Sequence, residues 1–284
     1  MANIIRADLY RISKGKGLYI AIAAFLATLI LLVTSNGMGS IGVDVAYIQD
    51  PEYVPYGESV VVDDDGVETI TPNREEIIMT GVLAPKTLAD STSDLIYFIL
   101  PFIVIIAAAD FSTGAAKNLI SSGLSRKQYF FSKFISVGII SFMMCFIFVV
   151  LSVLIATIMN GFGGSFNMTF IKETAEIYLP QAYLIFAYAC LGLFVTFTLK
   201  SKSALISIYV AFSLVPILLV IILGDINEKF YNLLDYEMVF NIKSFAYSAG
   251  IIPPDLTRAL LLGGAYIFLS AIGGFLLFRK AEIK

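Results

Sequence analysis

The sequence predicts an all-α polytopic membrane protein. It has six transmembrane helices, an N-terminal amphipathic interfacial helix and a small β-hairpin in an outer loop. Three observations predict this. The 284 residues are 58% hydrophobic and only 14% charged, where soluble domains carry about 25% charged residues. Six charge-free apolar stretches recur, at Gly17–Val43, Leu95–Ala109, Phe134–Ile171, Ile177–Leu199, Ser203–Gly224 and Ala259–Phe278, and a spanning helix needs roughly 17–25 residues. The charges between them also alternate. Segments 1–16, 110–133, 200–202 and 279–284 hold 13 basic and 3 acidic residues, whereas 44–94, 172–176 and 225–258 hold 6 basic and 19 acidic. The positive-inside rule assigns the first set to the cytoplasm. Both termini are then expected inside, as an even number of spans requires.

The chain is expected to form one transmembrane domain over 1–284, with spans at about 17–35, 91–109, 129–158, 177–199, 203–223 and 259–278. Residues 1–16 read as a helix lying at the interface. Ile4, Ile5, Leu9 and Ile12 share one face, and Arg6, Arg11, Lys14 and Lys16 are placed to meet anionic headgroups. The apolar run from Gly17 is too long for a cleavable signal and reads as the first span.

Outer loop 36–90 follows. Within it Glu58-Ser-Val-Val-Val62 and Val67-Glu-Thr-Ile-Thr71 flank Asp63-Asp-Asp-Gly66, which suggests a hairpin. The three aspartates are contiguous, not spaced as in a calcium loop, so a turn is expected rather than a metal site. The second apolar stretch reaches spanning length only if its helix starts near Ser91 and carries Asp94 at its rim. Pro101 and Pro216 fall within spans 2 and 5, where proline is tolerated and kinks a helix.

Loop 110–128 has a structured, mixed character. Ser112 or Thr113 can cap a short helix with Ala115, Ala116, Leu119 and Ile120 on its apolar side. Gly123 suits the left-handed position that ends it. Ser125-Arg-Lys-Gln128 is a capping-box pattern opening span 3, with Leu124 and Tyr129 at staple positions. Lys133 can snorkel from that helix to the headgroups. Segment 172–176 is a short outer loop. Segment 225–256 is partly amphipathic, and Phe230, Tyr231, Leu233, Leu234 and Met238 suggest a helix lying on the outer leaflet or dipping into it, stopped by Pro253-Pro254. Gly263-Gly264 and Gly273-Gly274 permit close helix approach in span 6.

Several functions are disfavoured. There is no histidine, which removes His-dependent hydrolases and zinc proteases. Glu75-Glu76 reads as a solvated acidic face. Cys145 and Cys190 fall inside spans and read as packing residues. The spans carry almost no ionisable residues, which argues against a proton relay or an ion-coupled transporter. No catalytic, metal-binding or cofactor-binding residue is expected. A His-independent intramembrane enzyme would need Ser141 or Ser152 with a lysine partner. A membrane sensor or assembly factor without transport is the other alternative.

The loop residues Asp110, Gly114, Lys117, Leu119, Ser125, Arg126, Tyr129 and Lys133 together resemble the pattern of ABC-2-type transporter permeases, particularly those of bacitracin and lantibiotic self-protection exporters. That family usually has Glu where this chain has Asp110, and often Thr where it has Ala115. The resemblance implies a membrane permease, not itself an enzyme, in a bacterial plasma membrane. It implies a coupling helix over Gly114–Ser122, with Asp110, Gly114, Ala115, Ala116, Lys117, Leu119 and Ile120 as the coupling residues. It also implies a separate ATP-binding subunit that holds ATP and Mg, because this sequence contains no G-x-x-x-x-G-K-[ST] loop. The implied partners are that subunit, a second permease copy or sister permease, the lipid bilayer and an amphipathic substrate such as an antimicrobial peptide moved outward. No nucleic acid is expected. Phe102, Phe142, Phe146, Tyr188 and Tyr209 are the candidate contacts along a greasy pathway.

Overall fold

The computed structural model describes residues 2–35, 58–62, 68–72, 79–247 and 256–280. Helices α1 (Ala2–Lys14) and α2 (Lys16–Thr34) come first, then strands β1 (Glu58–Val62) and β2 (Glu68–Pro72). A helical run, α3 (Asp90–Ser112), leads to the short α4 (Ala115–Ser121). Long helices α5 (Arg126–Asn160), α6 (Met168–Leu199) and α7 (Lys202–Ile226) follow. A 3-10 helix (Glu228–Tyr236), the short α8 (Met238–Ser244) and α9 (Leu256–Lys280) complete the order. The architecture is that of an all-α polytopic membrane protein. Helices α3, α5, α6, α7 and α9 are long and apolar enough to cross a membrane. Counting α1 and α2 as one broken span makes six, with a 70° bend between them.

Chain chemistry sets the helix starts. Ser125, Asn167 and Ser201 each accept a backbone N–H of the first turn of α5, α6 and α7, which satisfies donors a helix start leaves orphaned. Helix α6 is the central post, packing on α3, α5, α7, α8 and α9. Apolar burial gives no drive between helices in lipid, so tight packing must supply it. The span 6 glycines serve this inside the chain. A Cβ on Gly263 would lie 2.5 Å from the Tyr183 ring, and one on Gly273 would lie 3.1 Å from Phe194. Both aromatics belong to α6, so α9 lies close against the post.

Strands β1 and β2 pair antiparallel, with Val62 opposite Glu68 and Glu58 opposite Pro72. The turn Asp63-Asp-Asp-Gly66, the pair Glu75-Glu76 and Pro253-Pro254 lie outside the described residues.

Three expectations are corrected. Segment 172–176 is not a loop but lies within α6, just after its first turn. Asn167 starts the helix there, and the charges pair along and beside it (Lys172–Glu176 3.7 Å, Lys86–Glu173 3.0 Å). The connection runs instead through 161–167. There Gly163 has φ +75° and a Cβ would meet the Thr80 side chain at 2.4 Å, so a larger residue is doubly excluded. Over its described residues, segment 225–256 is not one helix but a 3-10 helix followed by α8, and it turns inward rather than resting on the leaflet. Its 3-10 helix packs on α7 and α8 inserts into the bundle, burying Leu234, Met238, Val239, Phe240 and Ile242. Finally, the buried face of α1 is not the one the hydrophobic pattern selects. Ile4 and Ile5 are half-buried and Ile12 is buried, but Leu9 is exposed and Asp8 is buried between them.

Candidate functional site

Asp8 is buried because it has a partner. Lys133, on the second turn of α5, has no exposed surface. Its Nζ lies 2.7 Å from the Asp8 carboxylate and 2.8 Å from that of Asp110. Arg11 comes from one turn further along α1, donates to Asp110 and lies 3.5 Å from Asp8. The Tyr129 hydroxyl donates to the other Asp110 oxygen at 2.9 Å, and Lys133 sits 5.1 Å from the Tyr129 ring centroid. Two acids and two bases thus meet at one end of the bundle, drawn from α1, α3 and α5. Burial pushes the Asp8 carboxyl above its ordinary value, while Lys133 and Arg11 pull it down and Asp110 pushes it up. Such a cluster survives out of water only when its charges compensate, and here they do.

Two expectations are therefore reversed. Arg11 and Lys133 do not reach for headgroups. Lys133 is fully buried and Arg11 partly so, and both point to the Asp8 and Asp110 carboxylates, which would be costly to bury without a cation. Aromatic rings close over the cluster. Phe197 stands 6.1 Å from Tyr129, 5.7 Å from Phe111 and 4.9 Å from Phe278. At the edge of this layer Arg126 donates to the carbonyls of Phe278 and Arg279, at 3.0 and 2.8 Å. It supplies donors to the end of α9, where backbone amides are lacking.

Asp110 connects this cluster to α4. The chain leaves α3 at Ser112 and turns through Gly114, whose φ of +73° is left-handed. It runs through α4 and turns again through Gly123 at φ +99°. Ser112 and Thr113 do not cap α4. Both hydroxyls donate back to Ala109 O, and Gly114 takes the cap position. Ala116 is buried, Ile120 packs against the core, and Gly114 and Ala115 are half-buried. Lys117, Asn118, Leu119 and Ser121 are exposed. The site thus holds a seven-residue helix between two glycine turns, rooted in a buried charge cluster, with one face outward.

The candidate pathway residues do not gather in one place. Phe102 is buried in α3. Phe142 and Phe146 are exposed on α5. Tyr188 and Tyr209 are fully buried against each other with ring centroids 4.7 Å apart, and the Tyr188 hydroxyl donates to Tyr209 O. Ser141 and Ser152 donate to Val137 O and Val149 O of their own helix.

Asp8 is the member of the site that sequence reasoning missed. A signal was available: Ile4, Asp8 and Ile12 lie four residues apart, so they share one side of α1. An acid on the apolar stripe of a basic helix needs a buried cation.

Compared with known proteins, residues 78–225 match the family model described as "ABC-2 family transporter protein". The match covers α3 to α7 with α4 inside it. No curated protein matches the chain.

Proposed function

Since this chain belongs to the ABC-2 transporter family, and so is a multi-pass permease subunit working with an ABC ATP-binding subunit, we propose that α4 is the element that docks on that subunit. The cargo in this reading is an amphipathic or hydrophobic molecule of the antimicrobial-peptide class, moved outward. The permease acts as a homodimer or with a sister permease in the plasma membrane. ATP and Mg belong to the partner, whose closure would pull on α4 and shift α3 and α5.

One observation carries the docking reading. Helix α4 is set off by two left-handed glycines and turns Lys117, Asn118 and Leu119 outward, while Ala116 and Ile120 hold it to the bundle. A short rigid helix with a small exposed apolar tip suits a groove in a second protein. The cytoplasmic assignment of this end rests on the basic loops.

The test has two arms. Leu119→Asp alters only the exposed face, whereas Ile120 packs inward and is left intact. The variant is expected to insert normally and to lose at least about tenfold of the co-purifying ATP-binding subunit, detected by photolabelling with 8-azido-ATP. Full recovery of that subunit rejects the docking role. A cysteine replacing Lys117 is expected to react with an impermeant maleimide only after cells are permeabilised. Labelling of intact cells rejects the sidedness.

A further inference from the structure

Helix α3 is interrupted where Arg11 meets it. Leu95–Ile103 is α-helical and contains Pro101, whereas Val104–Ala108 forms a π turn. The Ala109 N–H donates to Val104 O, five residues back. A π turn widens the helix by one residue and misaligns carbonyls with the amides that would normally serve them. The next two carbonyls are those of Ile105 and Ile106. The Arg11 guanidinium donates to both, the second at 3.0 Å, while its other terminal nitrogen donates to Asp110. One side chain from α1 therefore spans the π turn and the acid just beyond it. α4 begins five residues after that acid.

We propose that Arg11 is a positioning residue for α4. It holds the π turn in α3, and so fixes the direction in which the chain leaves α3 for the docking helix. The reasoning is geometric. Passing the extra residue of a π turn along the helix rotates everything beyond it by about 100°, one residue's share of an α-helical turn. The orientation of α4 thus depends on keeping the π turn in place. A planar fork presents separated, fixed donors to a carboxylate and two carbonyls together, whereas an ammonium gathers its three donors at one atom and cannot reach acceptors spread along the helix in the same way. Asp8 and Lys133 complete the arrangement by tying α1 to α5 at 2.7 Å, so Arg11 acts from a fixed base. This inference rests on the docking reading for its purpose but not for its test.

The full-length permease in detergent or nanodiscs is compared with Arg11→Lys and Arg11→Gln by hydrogen exchange. The lysine variant keeps the charge facing Asp110 and loses the carbonyl bonds. Backbone amides of 109–113 are expected to exchange about tenfold faster in both variants. If lysine restores wild-type exchange, Arg11 is only a charge partner and the proposal fails. A second measurement needs no change at Arg11. Spin labels at Ser13→Cys and Asn118→Cys, both exposed positions, are expected to give one narrow distance distribution. A broad distribution overturns the proposal. Recovery of the ATP-binding subunit is then read separately on Arg11→Lys. Retained binding with ATP hydrolysis lowered about tenfold supports positioning, and hydrolysis at the wild-type rate overturns it. If the wild type itself binds no such subunit, the docking reading fails while the exchange result still decides the role of Arg11.

Discussion

The two ends of the helix bundle both bury charge, and they do so in opposite ways. At the α1 end, Asp8, Arg11, Asp110 and Lys133 compensate each other across three helices that are far apart in sequence. At the other end, the buried polar groups belong mainly to one inserted segment and its neighbours. Glu237 caps its own helix α8 through the Phe240 N–H, and Lys243 meets Asp90 at 3.3 Å. Gln181 of the central post donates to the carbonyls of both Ala89 and Ile242 at 2.9 Å. The first end is held by full charges, the second mostly by amides and a carboxylate that burial pushes up to about 7. The first arrangement resists any separation of its parts. The second contains a group whose protonation state is free to change near neutral pH.

The sharpest way to break this contrast is Lys133→Met. It leaves two buried carboxylates to share the single cation Arg11, and a cost of about 3–5 kcal/mol is expected, read as a large drop in the thermal midpoint in detergent. The double variant Asp8→Asn with Lys133→Met should recover part of that loss. If the single variant is neutral, the α1 end is no more rigidly held than the other. Glu237 provides the next test. Its folded pKa of about 7 lies above the ordinary 4.5. The stability it contributes is therefore fully present below 4.5 and lost as pH rises through about 7. Burial drives the shift, while the backbone N–H groups at the start of α8 and Lys243 oppose it. Exchange of the α8 amides, corrected for intrinsic rates, should accelerate across that window by the equivalent of about 2–3 kcal/mol. Glu237→Gln should flatten the profile, and a flat wild-type profile removes the contrast. The smallest effect is expected from Gln181→Leu, about 1 kcal/mol in the thermal midpoint, because Ala89 O keeps the Thr92 N–H. A loss as large as that of Lys133→Met would show that amides hold their end as firmly as charges hold theirs.

The fold was legible because its signals are local. Apolar length marks the spans, Ser125 marks the start of α5, Gly123 marks the end of α4, and the strand pair follows from alternation around Asp-Gly. The charge cluster was only half legible. Asp110, Tyr129 and Lys133 stood out by position, but pairing across 125 residues of sequence, as between Asp8 and Lys133, leaves no local pattern. Snorkelling was the natural expectation for Lys133 and Arg11, since a lone cation near a helix end belongs in the headgroups. The buried acid on α1 reversed it. The π turn in α3 was not legible either. Pro101 marks the neighbourhood, but the donors that meet the carbonyls of Ile105 and Ile106 come from Arg11 on another helix. By sequence, the segment holding the 3-10 helix and α8 reads as one helix on or dipping into the leaflet because Phe230 and Tyr231 suit an interface. Glu237 and Gln181 satisfy the backbone ends of α8 within the bundle, and that removes the cost of burying it.

The contact of Arg126 with the last carbonyls of α9 has a mechanical consequence. It joins the foot of α5, inside the matched stretch 78–225, to the foot of α9, which lies beyond it. On the docking proposal, a displacement arriving through α4 would meet two helices in parallel at its first step, and parallel elements add their stiffness. Compliance is thereby pushed away from this end and toward the far one, where a protonatable carboxylate and a few amide bonds are what must yield.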